Sequence, residues 1–411
     1  MLEILSDFNL QSRWNLAALF FLVFTTTIES TVISSTMAPY MDSLGFETGW
    51  YNIAFCATFI TATLLQISIA YQKNPNIRHI AIVTSLIAIV GNSIYILARS
   101  PQLIVLARLL TGFSLGDICL KYIYVQQYIP VSQRKATINI LLVDVASSVI
   151  IGALIILSTS KMSEFAGITK LNAPVLVMNV FLLLQAIIFY FKFNPGETIN
   201  RGNENNTEYT PRFLMKFLFA TLLNACVVGL GRTIVEQSMP QILHAFHFEY
   251  VVTTIFQIAV LAAAVCGIIF LNSTSSQSTS PFITGGYIAL TITTLPLMFL
   301  NESRWYWYFI CLSVMGLIIG TLKVNTSDKV IEICNQHSQP IPLLVFMDIS
   351  GLTVSGIICF GCGRAYVTGQ AYGNEMWMWI FGMLVTLSLA SIAMLVLEAP
   401  QPAKGVDENI I

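Results

Sequence analysis

The chain has 411 residues, 55% of them hydrophobic and only 10% charged, and its mean hydropathy is +0.74. A soluble domain carries nearer a quarter charged residues, so the composition excludes a soluble globular protein. The formal net charge of −1 offers no attraction to nucleic acid, and the partner that the composition demands is a lipid bilayer.

The apolar residues fall in runs of about 20, the length a helix needs to cross a hydrocarbon core. In chain order the predicted spans are 14–36, 50–70, 79–98, 102–124, 136–158, 173–193, 213–238, 250–271, 282–300, 304–323, 341–362 and 376–397. No cleavable signal peptide is expected, because the first apolar run is too long for an h-region. The polar stretch 194–211 (NPGETINRGNENNTEYTP) has linker composition. The expected fold is therefore an all-α membrane protein of twelve transmembrane helices in two pseudo-symmetric six-helix halves. Residues 1–193 form the first half, 194–211 a cytoplasmic linker, 212–398 the second half and 399–411 a cytoplasmic tail.

Basic residues cluster at the loops on the side of the N-terminus, among them Arg13, Lys73, Arg78, Arg134, Lys135 and Lys192. The opposite loops hold Arg99, Lys161, Lys170 and Arg304, with Arg364 near that boundary. The bias predicts both termini in the cytoplasm. The sequon at Asn301-Glu-Ser303 then lies in a non-cytoplasmic loop too short to carry a glycan. The eight cysteines are scattered, seven within apolar runs and Cys334 in a loop; Cys359-Phe-Gly-Cys362 sits inside a predicted span with no second pair and reads as packing. His244 and His247 lack a third ligand nearby, so no metal and no cofactor is expected.

Charges inside spans are costly and mark function by default. Glu29 and Arg108 each lie about seven residues from the outer ends of spans one and four, about 10 Å deep at the helical rise. They can meet, either as a proton-coupling pair or as a fixed ion pair holding the two spans. Arg232 and Glu236 in span seven stand four residues apart, and Glu236 sits at a depth like that of Glu29, so both are candidates for a shared cavity or for a self-satisfied pair. Asp348 in span eleven has Lys323 as the cation that can reach it. Asp117 and Lys121 are also spaced to neutralise each other. They lie on the face of the helix opposite Arg108, which assigns them to packing, near Asp144 of span five. The aromatic clusters Trp305–Tyr308 and Trp377/Trp379 sit at predicted interfaces and read as an aromatic belt.

The halves echo each other. Span four carries Gly112-x-x-x-Gly116 and then Lys121; span ten carries Gly316-x-x-x-Gly320 and then Lys323. Paired glycines let another helix backbone approach closely. Each half also ends its first span with a proline followed by an apolar stretch, in SSTMAPYMDSLGF and EQSMPQILHAFHF. Parallel halves with a site between them are a transporter architecture.

On these residues the sequence resembles the major facilitator superfamily. Arg108-x-x-x-Gly112-x-x-x-Gly116 follows the family's R-x-x-x-G-x-x-x-G motif, supported by Ser132-Gln-Arg134-Lys135-Ala136 before span five. Ala38-Pro-Tyr-Met-Asp-Ser-Leu-Gly45 and Ala107-Arg108 look most like the lysosomal ceroid-lipofuscinosis-type branch. There are departures. The loop between spans two and three reads from Ser68 to His79 without the family's aspartate and glycines, and the antiporter motif of span five is reduced to Ser148–Ala153.

The resemblance implies a secondary active transporter that moves a small solute or ion by alternating access in the lysosomal or endosomal membrane, with the plasma membrane as the alternative; the buried Glu29 adds proton coupling as an expectation, and a functional monomer is expected. A chloride-type anion pathway through the same fold and a non-transporting scaffold or sensor are the competing readings. The chain shows no H-E-x-x-H, G-x-S-x-G or phosphate-binding glycine loop, so no enzyme is expected. Asp407-Glu-Asn-Ile410-Ile411 vaguely resembles an acidic di-isoleucine sorting signal.

Overall fold

The computed structural model describes residues 10–72, 74–165, 167–196, 248–274, 279–295, 305–336 and 351–359, with scattered positions between 223 and 243 and at 349. Its elements are helical: α1 (Leu10–Ser43), α2 (Thr48–Ala70), α3 (Ile77–Leu97), α4 (Pro101–Gly116), α5 (Leu120–Tyr128), α6 (Val131–Thr159), α7 (Ala173–Phe191), α8 (Tyr250–Thr274), α9 (Thr279–Thr294) and α10 (Trp305–Gln336). A 3-10 turn at Asp117–Cys119 joins α4 to α5. Six segments among the described residues are long and apolar enough to cross a membrane: α1, α2, α3, the continuous α4–α5 unit, α6 and α7. They correspond to predicted spans one to six.

The ends differ from the sequence reading where polar residues extend a helix beyond the hydrocarbon. Span one was expected over 14–36, but α1 runs from Leu10 to Ser43 and continues through Pro39. Span ten was expected to end at 323, and α10 runs on to Gln336. Composition signals where a helix enters hydrocarbon, not where its backbone hydrogen bonding stops. Span twelve, the C-terminal tail and most of span seven and of the linker lie outside the described residues, and span eleven is described at 349 and over 351–359, where it is helical.

Starts are set by local chemistry. The Asn76 side chain accepts a hydrogen bond from the His79 N–H at 3.0 Å and opens α3. Ser100 accepts from the Leu103 N–H at 3.4 Å ahead of α4, where Pro101 sits in the first turn. Arg134 closes the other end of the α4–α5 unit. Its guanidinium is 2% exposed and donates to the carbonyls of Ile129 and Gln126, both at 3.0 Å. These are the carbonyls that a helix end leaves without partners. The basic motif before span five is thus a C-terminal cap in this structure.

The loop that lacks the usual α2–α3 pattern is pinned instead to α7. Arg78 lies 5.3 Å from the Tyr190 ring centroid and donates to the Tyr190 carbonyl. Nearby, Asn15 of α1 exchanges two hydrogen bonds with the backbone of Asn194, at 2.7 and 2.9 Å, which ties the start of the linker to the first helix.

Polar side chains of the helices point inward among a largely apolar core, and the outer faces are apolar. Leu64, Leu97, Val90 and Val180 are exposed on the helix surfaces, whereas Gln66, Asn92 and Gln185 are fully buried. Lipid tails solvate leucine as well as a protein core does, so the apolar surface carries no penalty there. α4 packs chiefly on α2 and α3, α1 on α6, and α8 on α10 and α6.

Glycines set the closest of these approaches. A Cβ at Gly112 would meet the Thr58 carbonyl oxygen at 2.5 Å, and one at Gly116 would meet that of Ala62 at 2.9 Å. In α10, Cβ atoms at Gly316 and Gly320 would collide in the same way with the carbonyls of Val260 and Ala264. In both cases glycines four apart seat on carbonyls four apart.

Candidate functional site

The first helix supplies the polar face of the site. Its run Thr25–Thr36 reads TTTIESTVISST and sits in the bundle interior, where Thr25, Thr26, Glu29, Ser34, Ser35 and Thr36 are buried. The hydroxyls satisfy themselves on their own helix: Thr26 Oγ1 lies 2.9 Å from the Leu22 carbonyl and Thr36 Oγ1 2.7 Å from that of Val32. Glu29 has no such internal escape and must find a partner on another helix.

That partner is Arg108. Its Nη1 lies 3.5 Å from Glu29 Oε1, with both side chains about 95% buried. Docking of α4 on α2 through Gly112 and Gly116 carries Arg108, one turn earlier on the same stripe, to the level of Glu29. Ser114 Oγ donates to the other carboxylate oxygen at 3.2 Å. Asn92 of α3 also faces the Glu29 carboxylate, and Tyr51 and Tyr95 face the guanidinium.

The pair opens on a small cavity lined by Thr26, Ser30, Phe55, Thr58, Phe59 and Thr111. Its free volume of about 10 Å³ has room for about one water. Glu29 Oε1 and the Nε and Nη1 of Arg108 have no hydrogen-bond partner that meets the full geometry. The ion pair is therefore held by charge at a longer distance than a fork-to-fork contact. An incompletely satisfied buried pair is a high-energy arrangement that a proton or a ligand can rearrange.

Asp117 corrects the sequence reading. The four-residue spacing lets it neutralise Lys121. The carboxyl group instead lies 2.6 Å from Thr84 Oγ1 of α3 and 3.5 Å from Thr26 Oγ1 of α1. The α-helical register is lost at Asp117–Cys119, where the chain turns with three residues per turn, so the one-turn pairing no longer follows. Thr26 is one helical turn from Glu29, and Asp117 thereby joins the cluster around the ion pair.

Lys121 lies with its Nζ 4.8 Å from the Tyr122 ring centroid, and its charge acts on Asp144 of α6. Arg232, Glu236 and Asp348, the other residues read as candidates, lie outside the described residues.

Sequence reasoning passed over Ser114, Thr84 and Asn92, since single hydroxyls and amides in apolar helices carry no periodic signal. It also missed a contact between the sequence halves. The buried Gln257 of α8 accepts from Ser35 Oγ, and its amide nitrogen donates to Ser34 Oγ at 3.3 Å. The density of hydroxyls in TTTIESTVISST was the available clue.

A comparison with curated proteins finds no match. The family model described as Major Facilitator Superfamily matches residues 19–339, which takes in most of α1, the Glu29–Arg108 pair and the α10 glycines. The chain belongs to the major facilitator superfamily, and it is a membrane transporter of that type.

Proposed function

We propose that the chain is a secondary active transporter that moves a small solute by alternating access and couples the cycle to protons at Glu29. The observation that carries this reading is the buried Glu29–Arg108 contact, incompletely hydrogen-bonded and open to a cavity of about one water. Ionised Glu29 binds the guanidinium and draws α1 to α4. A proton on Glu29 removes that attraction, and Arg108 is released to hold an anionic or zwitterionic solute once the cavity widens. Coulomb energy in a water-poor interior makes such a switch worth several kcal/mol, on the order of 4 kcal/mol for charges 4 Å apart at an effective dielectric of 20.

The matching glycine contacts of α4 on α2 and of α10 on α8 support two pseudo-symmetric six-helix halves. Ser34, Ser35 and Gln257 then bridge those halves on the side away from the termini. The charge bias of the loops supports cytoplasmic termini, and the resemblance to the ceroid-lipofuscinosis-type branch supports a lysosomal or endosomal membrane.

The test is proton movement in proteoliposomes, challenged with a panel of solutes that includes chloride, for wild type and Glu29→Gln. Solute-triggered proton flux that Glu29→Gln abolishes supports the reading. Chloride-driven current indifferent to that substitution replaces it with an anion pathway. Folded protein that moves nothing replaces it with a scaffold.

A further inference from the structure

The cluster contains two buried carboxyl groups and one guanidinium. Glu29 has Arg108. Asp117 is fully buried, and among the described residues its partners are the neutral hydroxyls of Thr84 and Thr26. The charged group that acts on it from the helices packed around it is Glu29, itself an anion. Full ionisation would leave one net negative charge inside the bundle, with its cation already engaged.

The hydrogen inventory points the same way. Thr84 Oγ1 lies 2.9 Å from the Ile80 carbonyl, 3.2 Å from that of Ala81 and 2.6 Å from Asp117 Oδ2. Thr26 Oγ1 lies 2.9 Å from the Leu22 carbonyl, 3.3 Å from that of Ser114 and 3.5 Å from Asp117 Oδ1. Each hydroxyl has a single hydrogen to give. To serve an ionised Asp117, both threonines must leave their helix carbonyls. A protonated Asp117 donates its own hydrogen to Thr84 Oγ1 and leaves both threonines on those carbonyls, so one neutral carbonyl oxygen, Oδ1, is all that goes without a donor.

Position supplies the functional sense. Asp117 lies nine residues beyond Arg108, about 13 Å along the helix towards the end of the bundle where the chain begins. Thr26 lines the cavity beside Glu29 and also reaches Asp117. The order along the bundle is therefore Arg108 with Glu29, then Thr26, then Asp117 with Thr84.

We propose that Asp117 is a second proton-carrying carboxyl of this pathway, protonated while Glu29 is ionised against Arg108 and taking over the proton that Glu29 gives up. In the transfer the Glu29 O–H bond breaks and an Asp117 O–H bond forms, the net charge of the cluster is unchanged, and Arg108 regains its carboxylate. Asp117 delivers the previous proton to the near end of the bundle before it accepts the next. The inference rests on Glu29 as the coupling group.

Infrared difference spectroscopy on the full chain in lipid nanodiscs at neutral pH reads this directly. A protonated-carboxyl C=O band is expected in wild type, lost in Asp117→Asn and kept in Glu29→Gln. Thr84→Val, which removes the acceptor at 2.6 Å, should shift that band to higher frequency. A band that survives Asp117→Asn, or that ignores Thr84→Val, overturns the proposal. In proteoliposomes Asp117→Asn should keep solute binding and lose solute-driven proton flux. Flux kept in Asp117→Asn but lost in Glu29→Gln overturns this proposal alone. Flux kept in both overturns the coupling reading and the proposal with it.

Discussion

Replacing Gly112 by alanine should loosen the site without touching a charge. The added Cβ would stand 2.5 Å from the Thr58 carbonyl oxygen and 2.8 Å from Thr61 Cβ. The first obstacle is backbone, which cannot rotate away as a side chain can. Reaching ordinary contact at 3.4 Å requires α2 and α4 to part by about 0.9 Å at this point. Overpacking of this kind costs about 1–3 kcal/mol. The Glu29–Arg108 contact is already 3.5 Å, so displacement of α4 bears on it directly.

Thermal unfolding of purified protein, followed by solute-driven transport, measures both effects. Gly316→Ala should behave alike, since its Cβ would strike the Val260 carbonyl of α8. Gly285 in α9 is the control: a Cβ there meets nothing within 4 Å, and alanine gains about 1 kcal/mol of helix propensity. If Gly112→Ala matches wild type in stability and transport while Gly285→Ala is the harmful change, the close-packing argument is refuted.

Arg108→Gln strands a buried carboxylate and should destabilise the protein by about 3–5 kcal/mol, whereas Glu29→Gln/Arg108→Gln should recover most of that in a thermal-shift assay; a double variant as unstable as the single would show that the pair is not what matters. Arg134→Ala removes two charged-donor hydrogen bonds to the end of α5 and should cost about 1.5–3 kcal/mol per bond at most, seen as faster local hydrogen exchange over 126–134. Gln257→Leu leaves the Ser34 and Ser35 hydroxyls to their own helix and should raise labelling by an impermeant thiol reagent of a cysteine placed at position 38; unchanged labelling would mean that the contact does not restrain the halves.

Composition and run length alone identify a helical membrane protein, since hydrocarbon admits only runs of apolar residues of the right length, and spans one to six are legible for that reason. The sequence also put Glu29 and Arg108 at the same depth, because counting residues from a membrane boundary gives depth at a fixed rise per residue; their contact is read from the structure. The glycine spacing marked the close contact but not the surface it seats on, which is the carbonyl row of α2.

What the tertiary structure decided is which side chains complete the site. Ser114, Thr84 and Asn92 matter through neighbours distant in sequence, and no periodicity records that. The pairing of Asp117 with Lys121 fails for a local reason: the four-residue step crosses Asp117–Cys119, where the helix tightens. A helical wheel gives the face of a residue only while the helix stays regular, and here it stops being regular at the residue in question.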